Sequence, residues 1–399
     1  MLNLVTRSLQ SSRAPAQAMA RAASSFASSW SIPTPPNAFS QGNKGPIIDM
    51  RSDTVTRPDA EQMCAIMDAA IGDDVYGEDP SVNALEQAGA KALGKASAVY
   101  LPTGTMANLV GLAALRYVRH PQFGTAVLLG SESHIWHYEQ LGVSSIVGMG
   151  AYPVQNTASG DIELDDAQAW CRGDDGHYAT PGILALENSH NRCGGAVLSP
   201  ARLAEISAWA SSQGLSMHCD GARLLNAAAS LDVPVTDLTE PFHTVTLCLS
   251  KGVGAPVGSL LAGDADVIAQ ARRLKKVLGA GWRQAGLMAA AAHTALISAA
   301  TRVRQDNDNA ERFAERLARV PGVLLDPDTV ATNIVYFDLD PATGVSAEQL
   351  VQACGAQGLR MGQYGTHRVR AVTHYQVSPD QARKAADTIK ACMAELAAK

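Results

Sequence analysis

Asp220 and Lys251 are the residues of this sequence whose types and spacing could do chemistry together. Each follows an apolar strand pattern where the pattern breaks: Leu215–Cys219 ends before Asp220, and Thr244–Ser250 ends before Lys251. A lysine at the end of a buried strand is partly desolvated, which favours the neutral amine that attacks a carbonyl. A carboxylate at the preceding strand end could keep a heterocyclic nitrogen protonated. Taken alone, Lys251 would also fit a surface lysine after a strand.

The turn Thr103-Gly104-Thr105 offers a third part, a cradle for an anion. It lies between a short strand pattern, Ala98–Leu101, and a helical pattern that starts at Met106. Free N–H groups at the start of a helix bind anions, and the threonine hydroxyls add donors. For this segment alone, an ordinary helix cap made by a threonine is the competing interpretation.

Polar residues recur where predicted strands end: Thr103, His134, His190, Asp220 and Lys251. Ligands of open parallel sheets bind at this carboxyl edge. Each histidine alone fits a structural or surface position as well. The repetition at several strand ends favours a shared site.

Together these parts predict a pyridoxal phosphate site. Such a site needs a lysine for the Schiff base, a carboxylate for the pyridine nitrogen and a cradle for the phosphate. Lys251, Asp220 and the Thr103–Thr105 turn supply them. His134 could stack on the ring face.

The elements that must position these residues alternate between strand and helix patterns, which predicts an α/β fold. The predicted strands are Ile47–Thr56 (a lead-in strand followed by turn residues), Ala98–Leu101, Ala126–Leu129, Ile183–Glu187, Leu215–Cys219, Thr244–Leu249, Asn333–Asp338, Leu359–Met361 and His367–Val372. The predicted helices are Asp59–Asp68, Ser81–Leu93, Met106–Arg119, Pro200–Gln213, Ala265–Val277, Leu287–Ala300, Arg302–Arg319, Ser346–Gln357 and Pro379–Leu396. With 399 residues we expect a large domain over residues 47–300 and a small C-terminal domain over residues 301–399.

Residues 1–46 differ from the rest of the chain. They contain Arg7, Arg13, Arg21 and Lys44 but no acidic residue, and they are rich in Ser and Ala. This composition predicts an organellar transit peptide followed by an extended linker, with a simple disordered tail as the alternative. A mitochondrial matrix location is expected, while a plastid or the cytoplasm stays open.

The remaining composition excludes several classes of protein. The net charge is −6 and no basic block lies in the predicted folded part, so neither nucleic acid nor an acidic membrane surface is an expected partner. The cysteines are scattered singly, which indicates reduced thiols and no zinc site. The longest apolar stretch, Leu287–Ala300, is short and interrupted by polar residues, so we interpret it as a buried helix and not as a membrane span.

The chain resembles the low-specificity L-threonine aldolases, the aldolase branch of the fold-type-I pyridoxal phosphate enzymes, from Ile48 to the C-terminal helix. The similar segments are residues 49–56, 72–80, 102–108, 133–140, 187–195, 218–226, 248–258 and 278–286. The resemblance implies the transferase-like fold of that group: a large domain with a mostly parallel seven-stranded sheet flanked by helices, and a smaller C-terminal α+β domain. It also implies a homotetramer, a dimer of dimers with sites at subunit interfaces.

The resemblance also assigns roles to single residues. Lys251 corresponds to the Schiff-base lysine, Asp220 to the pyridinium partner, His134 to the stacking histidine, and Gly104 with Thr105 to the phosphate cradle. Further positions correspond to residues near the cofactor and substrate: Arg223 beside the cofactor's phenolic oxygen and the substrate, Ser52 and Arg370 at the substrate carboxylate, and Tyr76 and Arg283 in a pocket at the subunit interface. Trp282 stands where the family often has Met, which changes the shape of that pocket.

The implied reaction is the retro-aldol cleavage of L-threonine or L-allo-threonine to glycine and acetaldehyde. Arg370 would fix the carboxylate so that the Cα–Cβ bond stands perpendicular to the ring. Either His134 or His190 would remove the β-hydroxyl proton. The sequence leaves open which histidine acts, the preference between the two substrates and the physiological direction.

Two other functions remain as alternatives. Another fold-type-I enzyme, such as a β-eliminating lyase, racemase or aminotransferase, would share Lys251 and Asp220 but break a different bond. A nucleotide-binding module would have to use Gly252, Gly254 and Gly258, but their spacing does not match G-x-G-x-x-G and the sequence has no Walker motif.

Overall fold

The computed structural model describes residues 47–173 and 175–398. The predicted transit peptide and linker, residues 1–46, lie outside the described residues. The predicted end of this segment at residue 46 lies outside the described residues as well.

A seven-stranded sheet contains most of the strands whose ends were predicted to bear the polar site residues. Its order is β2-β8-β7-β6-β5-β3-β4. Its strands are β2 Ser97–Leu101, β3 Thr125–Gly130, β4 Gly150–Val154, β5 Thr180–Glu187, β6 Ser216–Asp220, β7 Thr244–Cys248 and β8 Ser259–Gly263. Strand β8 runs antiparallel to both of its neighbours, while β4, β3, β5, β6 and β7 are parallel to one another. The predicted α/β fold with a mostly parallel seven-stranded sheet is therefore confirmed.

Helices cover the sheet, which accounts for the apolar character of its central strands. All five residues of β7 are buried, including Thr244 and Thr246. The helices are α1 Ala60–Met67, α2 Pro80–Ala92, α3 Gly104–Arg119, α4 His134–Tyr138, α5 Gly142–Ser145, α6 Leu164–Trp170, α7 Pro200–Ser212, α8 Leu224–Leu231, α9 Val235–Thr239, α10 Ala265–Val277, α11 Gly286–Leu317, α12 Ala347–Ala356 and α13 Pro379–Ala397. Short 3-10 turns lie at Asp53–Val55, Asp74–Tyr76, Pro327–Thr329 and Pro341–Thr343.

The C-terminal part forms a second, antiparallel sheet of order β12-β13-β10-β9. Its strands are β9 Val323–Leu324, β10 Ile334–Leu339, β12 Gly362–Gln363 and β13 Arg368–Val372. The lead-in strand is much shorter than its predicted segment: β1 is Ile48–Asp49, and it pairs in parallel with β11, Leu359–Arg360. The first described strand therefore belongs structurally with the end of the chain.

One long helix replaces two predicted ones. The Ala-rich and charged segments, expected as separate helices on either side of residue 301, form the continuous helix α11. No proline or glycine interrupts the segment from Leu287 to Leu317, so the helix has no reason to break there. The composition changes because the surroundings change: Ala289, Ala295 and their neighbours pack into the core beside the large sheet, whereas Phe313 and Leu317 pack into the C-terminal core.

The boundary between the large and small domains at residue 300 stays a prediction, although α11 passes through it without a break. None of the helices in the described ranges is long and apolar enough to cross a membrane.

Candidate active site

A cavity at the carboxyl edge of the large sheet collects side chains from five neighbouring strand ends. The lining residues are Thr103, Gly104, Thr105, Asn108, His134, Glu187, Asn191, Asp220, Ala222, Arg223, Cys248, Ser250 and Lys251. Predicted cofactor residues from Thr103 to Lys251 thus meet in one place. The reason is topological, because the parallel strands β3, β5, β6 and β7 all end at this edge.

Asn108 holds the carboxylate of Asp220 in a fixed orientation. Its Nδ2 donates to Asp220 Oδ2 at 2.8 Å and to Glu139 Oε1 at 2.9 Å. Its Oδ1 lies 3.1 Å from His218 Nε2 and accepts from the Thr246 hydroxyl at 3.1 Å. Asn108 lies on the second turn of α3, so the helix that forms the anion cradle also orients the carboxylate.

Asp220 is buried, yet its surroundings favour the ionised form. Burial acts against ionisation, but the positive charges of His134 and Lys251 and the hydrogen bond from Asn108 outweigh it and lower the pKa of Asp220. A carboxylate that stays ionised in a dry site is suited to keep a proton on a ring nitrogen opposite it.

His134 is held at the cavity by two carboxylates. Glu187 Oε2 accepts from its backbone N–H at 2.7 Å, and Glu139 Oε1 contacts its Nδ1 at 2.8 Å. Burial alone would lower the pKa of His134, but the bond to Glu139 and the charge of Asp220 raise it above its usual value. The Ser133 side chain caps α4 and sets the position at which His134 leaves the strand end.

The anion cradle is a tight turn that a larger residue could not form. The Thr103 hydroxyl accepts from the Met106 N–H and so caps α3. The helix cap that the sequence offered as the alternative to an anion cradle is therefore present. The cap leaves the first N–H groups of the helix without intrahelical acceptors, as in any helix. A Cβ on Gly104 would meet Cys248 Sγ at 2.5 Å, so this position needs glycine. Capping and anion binding are therefore compatible at this helix start.

Lys251 begins a glycine-rich turn that returns the chain to β8. Its carbonyl accepts from the Gly254 N–H at 2.8 Å and from the Thr56 hydroxyl at 3.2 Å. Gly254 has φ +91° and Gly258 has φ +102°, and Tyr100 lies 2.3 Å from the point where a Cβ on Gly258 would be. These glycines serve the turn and the close packing behind Lys251.

A buried ion pair supports the wall next to Lys251. Arg223 donates from Nε and Nη2 to the two oxygens of Asp53, each at 2.7 Å. Both side chains are almost fully shielded from solvent. Burial opposes ionisation of Asp53, but the charge and hydrogen bonds of Arg223 lower its pKa well below the usual range. This bidentate geometry gives the pair directional specificity.

Asn191 connects Arg223 with the predicted carboxylate-binding residue Arg370. Its Oδ1 accepts from Arg370 Nη2 at 2.7 Å and from Arg223 Nη1 at 3.4 Å. Arg370 Nη1 also lies 3.4 Å from the carbonyl of Arg51, the residue before Ser52. Ser52 caps the Asp53–Val55 turn through its hydroxyl. The two predicted carboxylate-binding residues therefore lie at the rim of the same site.

Ser52 and Arg370 lie at the rim and are not themselves among the lining residues, and three further predicted site residues, His190, Tyr76 and Arg283, are not brought to this cavity. His190 is buried beside Asn191, its Nδ1 accepts weakly from the Cys193 N–H at 3.4 Å, and it is not among the lining residues. Tyr76 and Arg283 lie together on the surface, where the Arg283 carbonyl accepts from the Asp74 N–H at 2.8 Å. Within one chain these two do not reach the cavity, and their place in a pocket between subunits stays a prediction.

Other residues of the site were not predicted: Asp53, Asn108, Glu139, Glu187 and Asn191. Asn108 carried a weak signal, because asparagine is unfavourable inside a helix unless its side chain has a partner. Asp53, Glu187 and Asn191 lie in the segments that carry the resemblance, but each has a partner that is far away along the chain. Their roles follow only from the tertiary contacts.

The donor set fits pyridoxal phosphate. The cavity combines an amine on Lys251, an ionised carboxylate on Asp220, an aromatic ring on His134 and a helix start at Gly104 and Thr105. His134, Glu139 and Asp220 also offer ligand atoms within 4.8 Å of one another, a spacing that a metal ion could use. Hydrogen bonds already join His134 to Glu139, and Asn108 to both carboxylates, which satisfies these groups without an ion.

Comparisons with known proteins indicate the family to which this chain is similar. The family described as beta-eliminating lyase matches residues 49–340. The low specificity L-threonine aldolase of Escherichia coli K12 is 36% identical over 87% of this chain and 100% of its own length. The low-specificity L-threonine aldolase 1 of Arabidopsis thaliana is 36% identical over 83% and 92%. The solved threonine aldolase of Leishmania major has the same fold, with a TM-score of 0.70, 18% identity and coverage of 86% of this chain and 98% of its own.

Proposed function

The chain belongs to the beta-eliminating lyase family, and from this premise we propose that it is a pyridoxal phosphate enzyme, a carbon–carbon lyase that cleaves L-threonine and L-allo-threonine to glycine and acetaldehyde. The convergence of Lys251, Asp220, His134 and the helix start at Gly104 in one cavity carries this proposal. The curated relatives at 36% identity, which are named threonine aldolases, support the choice of substrate.

The cofactor would be held by residues of the large sheet edge. The Lys251 amine would take its aldehyde carbon, the N–H groups and hydroxyls at Gly104 and Thr105 its phosphate, and His134 the face of its ring. When bound, pyridoxal phosphate supplies an electron sink for the charge left on Cα when a bond there breaks. The Asp220 carboxylate would favour a proton on the ring nitrogen of the bound cofactor and so would keep this sink strong near neutral pH.

The substrate would be oriented from the other side of the cavity. Arg370 is already restrained by Asn191 and by the Arg51 carbonyl, and it has donors for a bidentate pair with a carboxylate. Fixing the carboxylate fixes which bond at Cα stands perpendicular to the ring. Ser52 would add a hydroxyl beside the substrate carboxylate. Arg223 would place a positive charge between the bound cofactor and the substrate.

In its neutral form, His134 is the group that we propose to accept the β-hydroxyl proton, at Nε2. Glu139 binds Nδ1 and so leaves Nε2 as the nitrogen available to the cavity. His190, the other candidate from the sequence, does not line the cavity. A positioned acid–base group contributes about 10²–10⁴-fold to the rate.

Replacing Lys251 tests the proposal most directly. Lys251→Ala should abolish acetaldehyde release from L-threonine and remove the yellow absorbance of the purified protein, because the covalent anchor of the cofactor is lost. Lys384→Ala, at an exposed position of helix α13, serves as a matched lysine control. Unchanged threonine cleavage by Lys251→Ala would contradict the assignment of Lys251, and release of a 2-oxo acid and ammonia by the unaltered enzyme would indicate a dehydratase instead.

The same surface that carries Tyr76 supports assembly into a homotetramer, a dimer of dimers. Large apolar side chains are exposed close together along the chain there: Met67 is 84% exposed, Ile71 51% and Tyr76 74%. A surface of this kind is typical of a subunit contact. We expect Met67→Glu combined with Ile71→Glu to lower the mass measured by light scattering, and a monomer in the unaltered protein would contradict the proposal.

The acid-free composition of residues 1–46 supports import into mitochondria. Fusion of residues 1–46 to a fluorescent protein tests this proposal. Mitochondrial fluorescence is expected, and plastid or diffuse fluorescence would favour the alternatives.

A further inference from the structure

Three tyrosines form a continuous bridge beside the candidate active site. The hydroxyls of Tyr138 and Tyr364 lie 2.8 Å apart. The rings of Tyr364 and Tyr336 meet edge to face, with centroids 5.2 Å apart and an interplanar angle of 83°. Tyr138, Tyr364 and Tyr336 are called the tyrosine bridge below. Nothing in the proposed reaction so far uses any of them.

The two ends of the tyrosine bridge lie beside residues with different proposed roles, His134 at the cofactor and Arg370 at the substrate carboxylate. Tyr138 is the last residue of α4, and its ring centroid lies 5.3 Å from that of His134, the first residue of the same helix. Tyr336 lies directly across from Arg370 in the pairing of β10 with β13. The Arg370 guanidinium lies 6.0 Å from the Tyr336 ring centroid. The bridge therefore joins the cofactor side of the cavity to the carboxylate side.

The contacts around Arg370 leave the guanidinium only partly restrained. Its Nη2 and Nη1 have partners, but its Nε is buried without a hydrogen-bond partner among the described residues, as is the Tyr336 hydroxyl. Arginine has a long, flexible side chain, so a neighbouring aromatic ring helps to fix its position. Aromatic faces attract guanidinium groups, and Tyr336 provides such a face.

The large-domain end of the bridge is itself fixed. Arg192 Nη1 donates to the Tyr138 hydroxyl at 2.9 Å, and Arg192 Nε donates to Glu132 at 2.6 Å. Tyr138 thus has a charged donor on one side and Tyr364 on the other. Tyr364 is the member that connects this anchored group to the sheet that carries Arg370.

We propose that Tyr364 is a positioning residue for the carboxylate site: through Tyr138 and Tyr336 it holds Arg370 at a constant spacing from His134. The inference rests on the proposed function, because it assumes that Arg370 binds the substrate carboxylate. It implies that Tyr364 supports substrate binding and leaves cofactor binding and bond cleavage largely unaffected.

Kinetics of Tyr364→Phe and Tyr364→Ala test the proposal. Tyr364→Phe removes one hydrogen bond and should raise the KM for L-threonine by about 3–10-fold. Tyr364→Ala also removes the ring contact and should raise it further. For both variants we expect a nearly constant kcat, unchanged cofactor absorbance and a parallel loss of glycine affinity. Tyr178→Phe is the matched control, because Tyr178 also carries an arginine over its ring but stands before the start of β5, whose opposite end carries the cavity residue Glu187.

A double-mutant cycle separates the bridge from a general effect on stability. Tyr138→Phe also loses the hydrogen bond from Arg192, so it should raise KM at least as much as Tyr364→Phe does. The double variant should add little to Tyr138→Phe, because both single variants already lack the hydrogen bond between Tyr138 and Tyr364. An unaltered KM in Tyr364→Phe and Tyr364→Ala would overturn the proposal, and so would a fall in kcat at constant KM. If Tyr364→Ala does not fold, Tyr364→Phe and Tyr138→Phe decide the question. If the unaltered enzyme does not cleave L-threonine at all, the proposed function fails and not the bridge alone.

Discussion

Asp53 and Asp306 are both fully buried near the Lys251 turn, but they lie in opposite electrostatic surroundings. Asp53 has a bidentate partner in Arg223. Asp306, on α11, has no hydrogen-bond partner for either carboxylate oxygen among the described residues. Its Oδ2 is 3.5 Å from the point where a Cβ on Gly252 would be. Arg302, whose positive charge favours the ionised form of Asp306, is already bound to Asp59.

The difference teaches that the partner, and not burial alone, decides the ionisation of a buried carboxyl group. Burial and the charge of Asp53 raise the pKa of Asp306 to about 8. Burial acts in the same direction on Asp53 and on Asp220, but their positively charged neighbours outweigh it and lower both pKa values. The cavity side of the Lys251 turn thus holds ionised carboxylates, and the α11 side holds a neutral one below pH 8.

The strongest test of this contrast is Asp220→Asn. The amide cannot keep a proton on a ring nitrogen as a carboxylate does, so the rate of L-threonine cleavage should fall by on the order of 10²–10³-fold. Asp306→Asn, in parallel, should leave the rate close to that of the unaltered protein because Asp306 is already neutral. Equal losses of cleavage rate in both variants would show that the different ionisation of Asp220 and Asp306 does not matter for catalysis.

The next effect in size concerns Asp53→Asn. The substitution leaves Arg223 buried without its anion, and breaking a buried ion pair on one side costs about 3–5 kcal/mol. We expect a loss of this order in the free energy of unfolding measured in urea. The exposed pair of Arg304 with Asp232 gives the control, since Asp232→Asn should change stability by less than about 1 kcal/mol. A similar small change for Asp53→Asn would contradict the role of the pair.

The smallest effect is a pH dependence that belongs to Asp306. Its folded pKa of about 8 lies above the ordinary value of 3.8, so the folded protein binds the extra proton between these two pH values. Stability is therefore fully present near pH 4 and falls as pH rises towards 8, by at most about 1.4 kcal/mol per pH unit. Asp306→Asn should remove this slope in urea unfolding, whereas Asp308→Asn, an exposed change on the same helix, should keep it. An identical slope in Asp306→Asn would assign the effect to other groups.

The two sides of the site also differ in how well the sequence predicts them. Lys251, Asp220, His134 and the Thr103 turn were predicted because strand ends mark the ligand-binding edge of a parallel sheet. The contacts of Asp53 and Asn191 join segments far apart in the chain, and no local pattern encodes such contacts. Arg370 was inferred from the family resemblance, and its neighbours Tyr336 and Tyr364 were missed.

The fold shows the same division between local and long-range information. Most strand and helix positions follow from apolar periodicity and capping residues, and the C-terminal elements lie within a few residues of their predicted bounds. Strand β4 was missed because Pro153 is atypical of a strand, although an edge strand such as this one tolerates it. Helix α11 was divided in two because its composition changes, and composition reports the surroundings of a helix as much as its ends.

The pairing of β1 with β11 limits the order in which the parts of the chain can fold during synthesis on the ribosome. Ile48 finds its partner Leu359 only after all the residues between them have been synthesised. Until then Asp53, a few residues further on, lacks the framework that holds it. We therefore expect the large sheet to form early in translation, while the wall that contains Asp53 and Arg370 closes only after Leu359 and Arg370 have been synthesised.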